Sequence, residues 1–294
     1  MSNSQFPVLG AGVGLRRALM GPLSSVSTEQ VDFMEVAPEN WINVGGRFGK
    51  QFRAYTERFP FNCHGLSLSI GSPAPLDFDL LGQIKQFINE HQIRCYSEHL
   101  SYCSDTAHLY DLMPIPFTEE AVRYTADRIR QVQDFLGQRI AMENVSYYGA
   151  PQQEMTEIDF INAVIEQADC DFLLDVNNIY VNSINHRYDA EQFLGGLPGD
   201  RIAYVHMAGH YQEAEDLLVD THGADVIDPV WQLLGKAYAL FGVMPTLLER
   251  DFNFPPVHEL MAEVAQIKVL QADYSVISPT LGEPAEVARA QHVS

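Results

Sequence analysis

The sequence predicts a single eight-stranded β/α barrel, a (β/α)8 or TIM barrel, and three observations lead to that fold. The chain has 294 residues, of which 46% are apolar, and this suits one large core of the usual barrel size. Eight short strand-like runs recur along it, mostly separated by helix-like stretches. Several runs are almost continuously apolar, as strands are when both faces of a parallel sheet are buried.

The strands come in order along the chain and leave room for a helix between most of them. They are Gly12–Arg16, Asp32–Ala37, Phe61–Ser69, Arg94–Tyr102, Arg139–Val145, Asp171–Asn177, Arg201–Met207 and Pro245–Arg250. Alternation of strand and helix predicts a closed parallel barrel. An open doubly wound sheet is the alternative fold. Gly10-Ala-Gly-Val-Gly is only a weak phosphate-loop motif for it, because no clear helix follows directly.

Five stretches between the strands have apolar residues at helical spacing or begin with a capping residue. They are Asp79–His91, Thr118–Leu136, Asp159–Ala168, Pro229–Phe241 and Pro256–Leu270. We expect one barrel domain over residues 9–278. Residues 1–8 and 279–294 are expected to be a flexible and a disordered tail, because both ends are poor in apolar residues. The segment 207–228 is predicted to be a long loop, and such loops are often functional.

Composition disfavours several classes of function. The formal net charge is −21, which opposes binding to a phosphate backbone, so we expect no nucleic-acid partner. No apolar run is long enough to span a membrane, and the first residues lack a secretory pattern. We therefore expect no membrane association and a cytoplasmic location. The four cysteines form no C-x-x-C pair and are expected to be reduced and buried.

Six consecutive strands, the third to the eighth, each carry a histidine or an acid near the C-terminal end. These residues are His64, His99, Glu143, Asp175, His206 and Glu249. One such residue is more often a hydrogen-bonded structural group. Closing the barrel, however, would bring all six to one rim, where barrel active sites lie. Crowded acids repel unless cations or protons balance them, so the pattern predicts a metal site at this rim.

Asp220 and His222 in the long loop add two more candidate ligands, although the same segment also suits a solvated turn. Imidazole and carboxylate ligands without thiolate suit iron, manganese or zinc. Eight ligands exceed the capacity of one ion, so we expect two or three ions. Glu143 is the candidate bridging ligand, because its strand lies midway round the ligand-bearing arc.

Other polar residues near the same rim are candidates for binding substrate or for orienting the ligands. They are Glu35, Glu39 and Asn40 at the end of the second strand, and Asn177, which an extended strand would place on the same side as Asp175. His210 is interpreted as an orienting donor or a substrate contact, with a surface histidine as the alternative. With the bridging Glu143, His210 is a candidate catalytic residue.

The ordered motifs resemble a known family. They are Gly12-Val-Gly-Leu-Arg, Glu35-Val-Ala-Pro-Glu-Asn-Trp, Cys63-His-Gly-Leu-Ser-Leu-Ser-Ile-Gly, Ser97-Glu-His-Leu-Ser-Tyr, Met142-Glu-Asn-Val-Ser, Leu174-Asp-Val-Asn-Asn-Ile-Tyr-Val-Asn, Val205-His-Met-Ala-Gly-His and Asp220-Thr-His-Gly. Together they cover most of the chain and resemble the multinuclear non-haem iron-dependent oxidative enzymes. This long-uncharacterised family includes the enzyme that makes the copper-chelating groups of methanobactin.

The resemblance implies a xylose-isomerase-like barrel with two or three iron ions, with zinc or manganese as alternatives in purified material. The matching motifs imply metal positions at His64, His99, Glu143, Asp175, His206, Asp220, His222 and Glu249. Members of the family use O2 as a co-substrate to modify residues, often cysteines, of ribosomally made precursor peptides. A separate partner protein often delivers the peptide.

Two other functions stay open from the residues alone. A related barrel with divalent metals can act on a small molecule as an isomerase or a hydrolase, because the metal polarises a carbonyl or activates water. The net charge of −21 disfavours the nuclease form of this alternative. The second is a non-catalytic metal-binding protein for storage or assembly, which a closed coordination shell would indicate.

Overall fold

The computed structural model describes residues 6–104, 108–149 and 152–277. These residues form a closed barrel of eight parallel strands. In chain order the strands are β1 (Ala11–Gly14), β2 (Phe33–Val36), β3 (Phe61–His64), β4 (Tyr96–His99), β5 (Ala141–Glu143), β6 (Asp171–Asp175), β7 (Ile202–Ala208) and β8 (Thr246–Glu249). The first strand pairs with both β2 and β8, which closes the cylinder. The predicted fold is therefore confirmed.

The helices lie between the strands. They are α1 (Gly46–Thr56), α2 (Phe78–His91), α3 (Glu119–Leu136), α4 (Glu157–Ala168), α5 (Val176–His186), α6 (Ala190–Gly195), α7 (Asp228–Phe241) and α8 (Val257–Ile277). All five predicted helices are present, and α1, α5 and α6 are additional. The predicted cap of α3 is also present, since the Thr118 side chain accepts a hydrogen bond from the Ala121 amide at 3.2 Å.

Seven of the eight barrel strands are shorter than the sequence indicated, and the difference is largest for two of them. The strand predicted over 61–69 ends at His64, and the one predicted over 94–102 divides at Leu100. Residues Ser101–Ser104 instead form an antiparallel hairpin with His108–Pro114. The predicted loop 207–228 also contains a hairpin, in which Tyr211–Ala214 pairs with Leu217–Val219. Both hairpins lie beyond the C-terminal ends of barrel strands.

The strand predicted over 171–177 ends at Asp175, and this changes the setting of Asn177. The Asp175 side chain accepts a hydrogen bond from the Asn178 amide at 2.6 Å and so caps α5. Asn177 therefore lies in the first turn of a helix, and the prediction that placed it on an extended strand was wrong. Its side chain still reaches the rim, because the first turn of α5 begins there.

Apolar side chains fill the barrel below the rim. Phe33 and Leu247 pack with Val8 near the N-terminal ends of the strands, and Leu173 and Tyr204 pack in the next layer. Residues 1–5 and the predicted tail 279–294 lie outside the described residues, so the tails stay predictions. Among the described helices, none has both the length and the apolar character needed to cross a bilayer.

Candidate metal centre

The C-terminal ends of the strands bring the six predicted rim residues together. Parallel register places His99 beside Glu143 and Asp175 beside His206. Because side chains alternate along a strand, residues at these positions point into the mouth of the barrel. The geometry that the sequence predicted for the rim is therefore present, and four overlapping groups of three ligand atoms lie there.

The first group is formed by His64, His99 and Glu143. Glu143 Oε2 lies 2.9 Å from His64 Nε2 and 3.4 Å from His99 Nε2. The two Nε2 atoms are 3.0 Å apart. Glu143 Oε2 is buried and has no hydrogen-bond partner among the described residues. Three ligand atoms thus converge on one point from three neighbouring strands, as metal binding requires.

The second group is formed by Glu143, Asp175 and His206, all of them buried. His206 Nδ1 lies 3.5 Å from Glu143 Oε1 and 3.3 Å from Glu249 Oε2. Neither His206 Nδ1 nor Asp175 Oδ2 has a hydrogen-bond partner within the described chain. Glu143 belongs to this group and to the first one, which is the position that a bridging carboxylate would occupy.

The third group is formed by Asp175, His222 and Glu249. His222 Nδ1 lies 3.5 Å from Glu249 Oε2, and His222 Nε2 lies 2.8 Å from Asp220 Oδ1. The long loop therefore folds back over the rim and adds an imidazole to it. Asp220 itself is in none of the four groups that the described residues form, so its role as a ligand stays a prediction.

Arg16 and Asp251 flank this group and were not predicted as site residues. Arg16 Nη2 donates to Glu249 Oε1 at 2.7 Å, and Arg16 Nε donates to Asp251 Oδ1 at 2.6 Å. Asp251 Oδ2 lies 3.1 Å from His222 Nδ1. A signal was available in the sequence, because Arg16 ends the first predicted strand and Asp251 directly follows the last.

The crowded groups shift one another's pKa. Burial and the neighbouring Glu143 carboxylate raise the pKa of Asp175 well above its usual range. Burial and the charge of His64 lower the pKa of His99 to about 3. Burial also disfavours the charged form of His206, but the surrounding carboxylates outweigh it and raise the pKa well above the usual value. The crowded carboxylates are therefore stabilised by nearby positive charge, which protons or metal ions can supply.

The donor set fits a centre with more than one metal ion. It contains imidazole nitrogens and carboxylate oxygens, which suit iron, manganese or zinc. Buried polar atoms without partners are rare in folded proteins. Here the atoms in that state include Glu143 Oε2, Asp175 Oδ2, His206 Nδ1 and His222 Nε2. Unpaired atoms of this kind around one barrel mouth are what a set of cations would satisfy.

Glu35 and His210 lie beside these groups. Glu35 Oε1 accepts from His206 Nε2 at 2.9 Å, and its Oε2 accepts from the Tyr204 hydroxyl at 2.6 Å. Glu35 also shares a three-atom group with His206 and Glu249, but both of its oxygens already have protein donors. His210 Nδ1 donates to Asn177 Oδ1 at 2.7 Å, so its Nε2 is left for other contacts.

The remaining predicted residues differ in how close they come to the rim groups. Asn177 Nδ2 donates to Asp220 Oδ1 at 2.8 Å, so Asn177 links His210 to Asp220. Glu39 accepts from the backbone amides of Leu66 and Ser67 at 2.7 and 3.0 Å, so it fixes the loop after β3. Asn40 is exposed, and neither it nor Glu39 belongs to a three-atom group in the described chain.

Solved structures with similar folds are enzymes of other kinds. L-ribulose 3-epimerase superposes with a TM-score of 0.59 at 12% identity, covering 94% of this chain and 100% of that one. Endonuclease IV from Thermus thermophilus superposes with a TM-score of 0.57 at 12% identity, covering 90% and 99%. At such low identity these similarities concern the fold alone, and they agree with the closed eight-stranded β/α barrel.

Sequence relatives are far closer. A UPF0276 protein of Alcanivorax borkumensis is 63% identical over 278 residues, which cover 91% of this chain and 93% of that protein. A UPF0276 protein of Pseudomonas aeruginosa is 58% identical over 264 residues, covering 90% and 93%. The model of one family, described as the RiPP precursor modification enzyme MbnB/TglH/ChrH, matches residues 10–272. The chain therefore belongs to this family of enzymes that modify ribosomally made precursor peptides.

Proposed function

We propose that this protein is an oxidative enzyme that holds two or three iron ions and uses O2 to modify cysteines of a ribosomally made precursor peptide. The observation that carries the proposal is the convergence of buried, unpaired ligand atoms around Glu143. Membership of a precursor-modifying family supports it. The ligands we propose are His64, His99, Glu143, Asp175, His206, Asp220, His222 and Glu249.

Iron is proposed over zinc because oxidation by O2 needs a metal that changes its oxidation state, and zinc does not. When bound, iron would supply electron transfer to O2 and an attachment point for a substrate thiolate. Reduction of one O2 to two water molecules takes up four electrons and four protons. In our proposal all four electrons and all four protons come from the peptide, so the reaction needs no further reductant.

The chain's own residues would fix the centre and move protons. Glu143 reaches both the first and the second group, so we propose it as the bridging ligand. His210 is proposed as the base that accepts a proton from the substrate. Its Nδ1 is engaged by Asn177, and burial lowers its pKa, so a neutral Nε2 is available.

We also propose a cysteine-containing peptide as the substrate and a separate protein that delivers it, as the family resemblance implies. The four cysteines of the chain are buried and unpaired. Such cysteines are typical of proteins in reducing compartments, which supports our proposal of a cytoplasmic location.

The function can be tested by oxygen uptake. Metal-free protein is loaded with ferrous iron under nitrogen and mixed with oxygenated buffer and a cysteine-containing precursor peptide encoded near its gene. We expect peptide-dependent consumption of O2 and a loss of mass from the peptide that corresponds to removal of hydrogen. Substrate without cysteine should give neither result.

Two comparisons sharpen this test. Zinc-loaded protein should be inactive, and equal activity with zinc would exclude oxidation at the metal. His210→Gln should keep the iron content of the wild type and lower the turnover rate by about 100-fold, in the usual range for loss of a general base. If His210→Gln turned over at the wild-type rate, the proposed base would be wrong.

A further inference from the structure

A continuous chain of hydrogen bonds runs below the candidate metal centre and joins two of its histidines. His64 Nδ1 lies 2.8 Å from Ser97 Oγ, and Ser97 Oγ lies 2.7 Å from the Tyr204 hydroxyl. The Tyr204 hydroxyl donates to Glu35 Oε2, and the other Glu35 oxygen accepts from His206 Nε2. All five side chains are 5% exposed or less, so solvent does not compete for these contacts.

The Glu35 carboxylate fixes the direction of the chain. An ionised carboxylate only accepts hydrogen bonds, so Tyr204 must donate to it. The Tyr204 oxygen is then free to accept from the Ser97 hydroxyl. The single Ser97 hydrogen has two oxygen acceptors, the Tyr204 hydroxyl at 2.7 Å and the Cys63 carbonyl at 3.3 Å. In either case none is left for His64, so His64 must donate its Nδ1–H to Ser97. On the other side of Glu35, His206 must donate its Nε2–H.

The two histidines are thereby held in opposite tautomers. We propose that Ser97, Tyr204 and Glu35 are positioning residues that make His64 bind metal through Nε2 and His206 bind metal through Nδ1. This inference rests on the metal centre of the proposed function but needs no oxidation. It assigns a role to two hydroxyls that carry no charge and are not ligands themselves.

The free nitrogens lie where this assignment requires. His64 Nε2 is 2.9 Å from Glu143 Oε2. His206 Nδ1 is 3.5 Å from Glu143 Oε1 and 3.3 Å from Glu249 Oε2, and it has no hydrogen-bond partner among the described residues. Both lone pairs therefore face the carboxylate that joins the first two groups. A flipped tautomer of either ring would place a proton at the metal position.

Strand alternation explains why the chain of hydrogen bonds lies in this layer. Ser97 is two residues before His99 on β4, and Tyr204 is two residues before His206 on β7. Each hydroxyl thus points into the barrel one layer below a histidine of the rim. The two strands lie on different sides of the cylinder, and Tyr204 is long enough to reach across it.

The test uses zinc-loaded protein labelled with 15N-histidine, because zinc is diamagnetic. Long-range 1H–15N spectra show which ring nitrogen carries the proton, and single histidine-to-glutamine variants assign the signals. We expect His64 to be protonated at Nδ1 and His206 at Nε2. In Tyr204→Phe the dissociation constant for zinc should rise about 10- to 100-fold, as is typical when the partners of ligands are removed.

The matched control is Tyr238→Phe, which removes another buried tyrosine hydroxyl, bonded to Thr246 at 2.5 Å on the outer side of the barrel. Its zinc affinity should equal that of the wild type. Ser97→Ala interrupts the same chain of hydrogen bonds as Tyr204→Phe and should weaken zinc binding to the same extent. This second variant keeps the test possible if Tyr204→Phe fails to fold.

The inference would be overturned if zinc-bound His64 carried its proton on Nε2, which is the result expected from the reversed direction of donation. It would also be overturned if Tyr204→Phe and Ser97→Ala weakened zinc binding no more than Tyr238→Phe. A lack of oxygen uptake by the iron form would instead contradict the proposed function and leave the tautomer assignment standing.

Discussion

The candidate metal centre and a neighbouring asparagine network lie at the same rim, and their polar atoms are arranged in opposite ways. We define the network as Asn144, Asn178 and Asn182, which tie the loop after β5 to α5. Asn144 Oδ1 accepts from the Asp175 amide, and Asn144 Nδ2 donates to the Asp175 carbonyl, both at 2.9 Å. Asn178 Nδ2 donates to the Asn144 carbonyl at 3.0 Å. Except for Asn178 Oδ1, which is buried without a partner among the described residues, the side-chain donors and acceptors of this network are paired.

In the candidate metal centre, by contrast, several ligand atoms face one another and have no hydrogen-bond partner in the described part of the chain. Glu143 Oε2 and His206 Nδ1 are buried and unpaired among the described residues. The two clusters share the segment around Asp175, whose backbone belongs to the network and whose side chain reaches the centre. The contrast teaches that burial of polar groups has two meanings: the paired network stabilises the fold as it stands, whereas the unpaired atoms of the candidate centre are ones that a cation could satisfy.

The largest expected effect comes from replacing the shared carboxylate of the centre. Glu143→Gln removes one negative charge from two groups of ligands at once, so zinc affinity should fall by at least about 100-fold, more than for a partner of a ligand. Zinc at one hundred times its dissociation constant should raise the wild-type free energy of unfolding by about 2.7 kcal/mol. The variant should lack this increase at the same zinc concentration.

Denaturant unfolding with and without zinc provides the measurement. Asp171→Asn is a suitable control, because it removes a partly exposed acid at the opposite end of β6, which pairs with β5. It should keep the full increase with zinc. An undiminished increase in Glu143→Gln would mean that zinc does not bind where the first two groups meet.

A smaller effect is expected from the asparagine network, where a substitution should lower the stability of the metal-free protein and leave the response to zinc unchanged. Asn182 Nδ2 donates to the Val145 carbonyl at 3.0 Å, and Asn182 Oδ1 accepts from the Tyr147 amide at 3.1 Å. Asn182→Ala leaves both buried backbone groups unpaired, so the metal-free protein should lose about 1–3 kcal/mol of stability. The increase in stability with zinc should remain, because no ligand has changed.

Asn162→Ala is the matched control for this variant. Asn162 also bonds two backbone groups, here the carbonyls of Ile158 and Gly196, but its side chain is only half-buried. Its loss should change the free energy of unfolding by no more than about 0.5 kcal/mol. The distinction between the clusters would fail if Asn182→Ala abolished the response to zinc while leaving the metal-free stability unchanged.

The residues of the site differ in whether the sequence could predict them. His64, His99 and His206 were predictable, because strand period and barrel closure alone bring strand ends to one rim. Tyr204 and Ser97 were not, since they meet across the barrel at a separation of 107 residues. Nothing local distinguishes these two hydroxyls from ordinary core residues.

The helix α5 was also missed, for a related reason. Its first residues, Val176-Asn-Asn-Ile-Tyr-Val-Asn, are rich in asparagine and β-branched residues, which are poor helix formers. Asn178 and Asn182 are buried and bonded to the loop after β5. Tertiary hydrogen bonds therefore compensate for weak helix propensity, and such contacts cannot be predicted from the local sequence. Asn177 was misplaced on a strand because its helix was not recognised.

The smallest expected effect concerns Glu157, a carboxyl group that belongs to neither cluster. It lies beside the network and accepts one hydrogen bond from the Tyr147 hydroxyl at 2.8 Å. Burial outweighs that bond and raises the pKa of Glu157 from 4.5 to about 7. Between these two pH values the folded protein holds a proton that the unfolded chain has released, so the free energy of unfolding falls as the pH rises.

Glu157→Gln should remove this pH dependence, because an amide does not ionise and can still accept from Tyr147. The variant and the wild type should be about equally stable near pH 5, and the variant should be more stable by about 1–2 kcal/mol at pH 8. Urea unfolding of the metal-free protein at both pH values measures the difference. If the difference in stability between the variant and the wild type were the same at both pH values, the pKa of Glu157 would be the same in the folded and the unfolded protein. A half-buried acid would then stay charged without a metal or a paired network around it, contrary to the contrast between the two clusters.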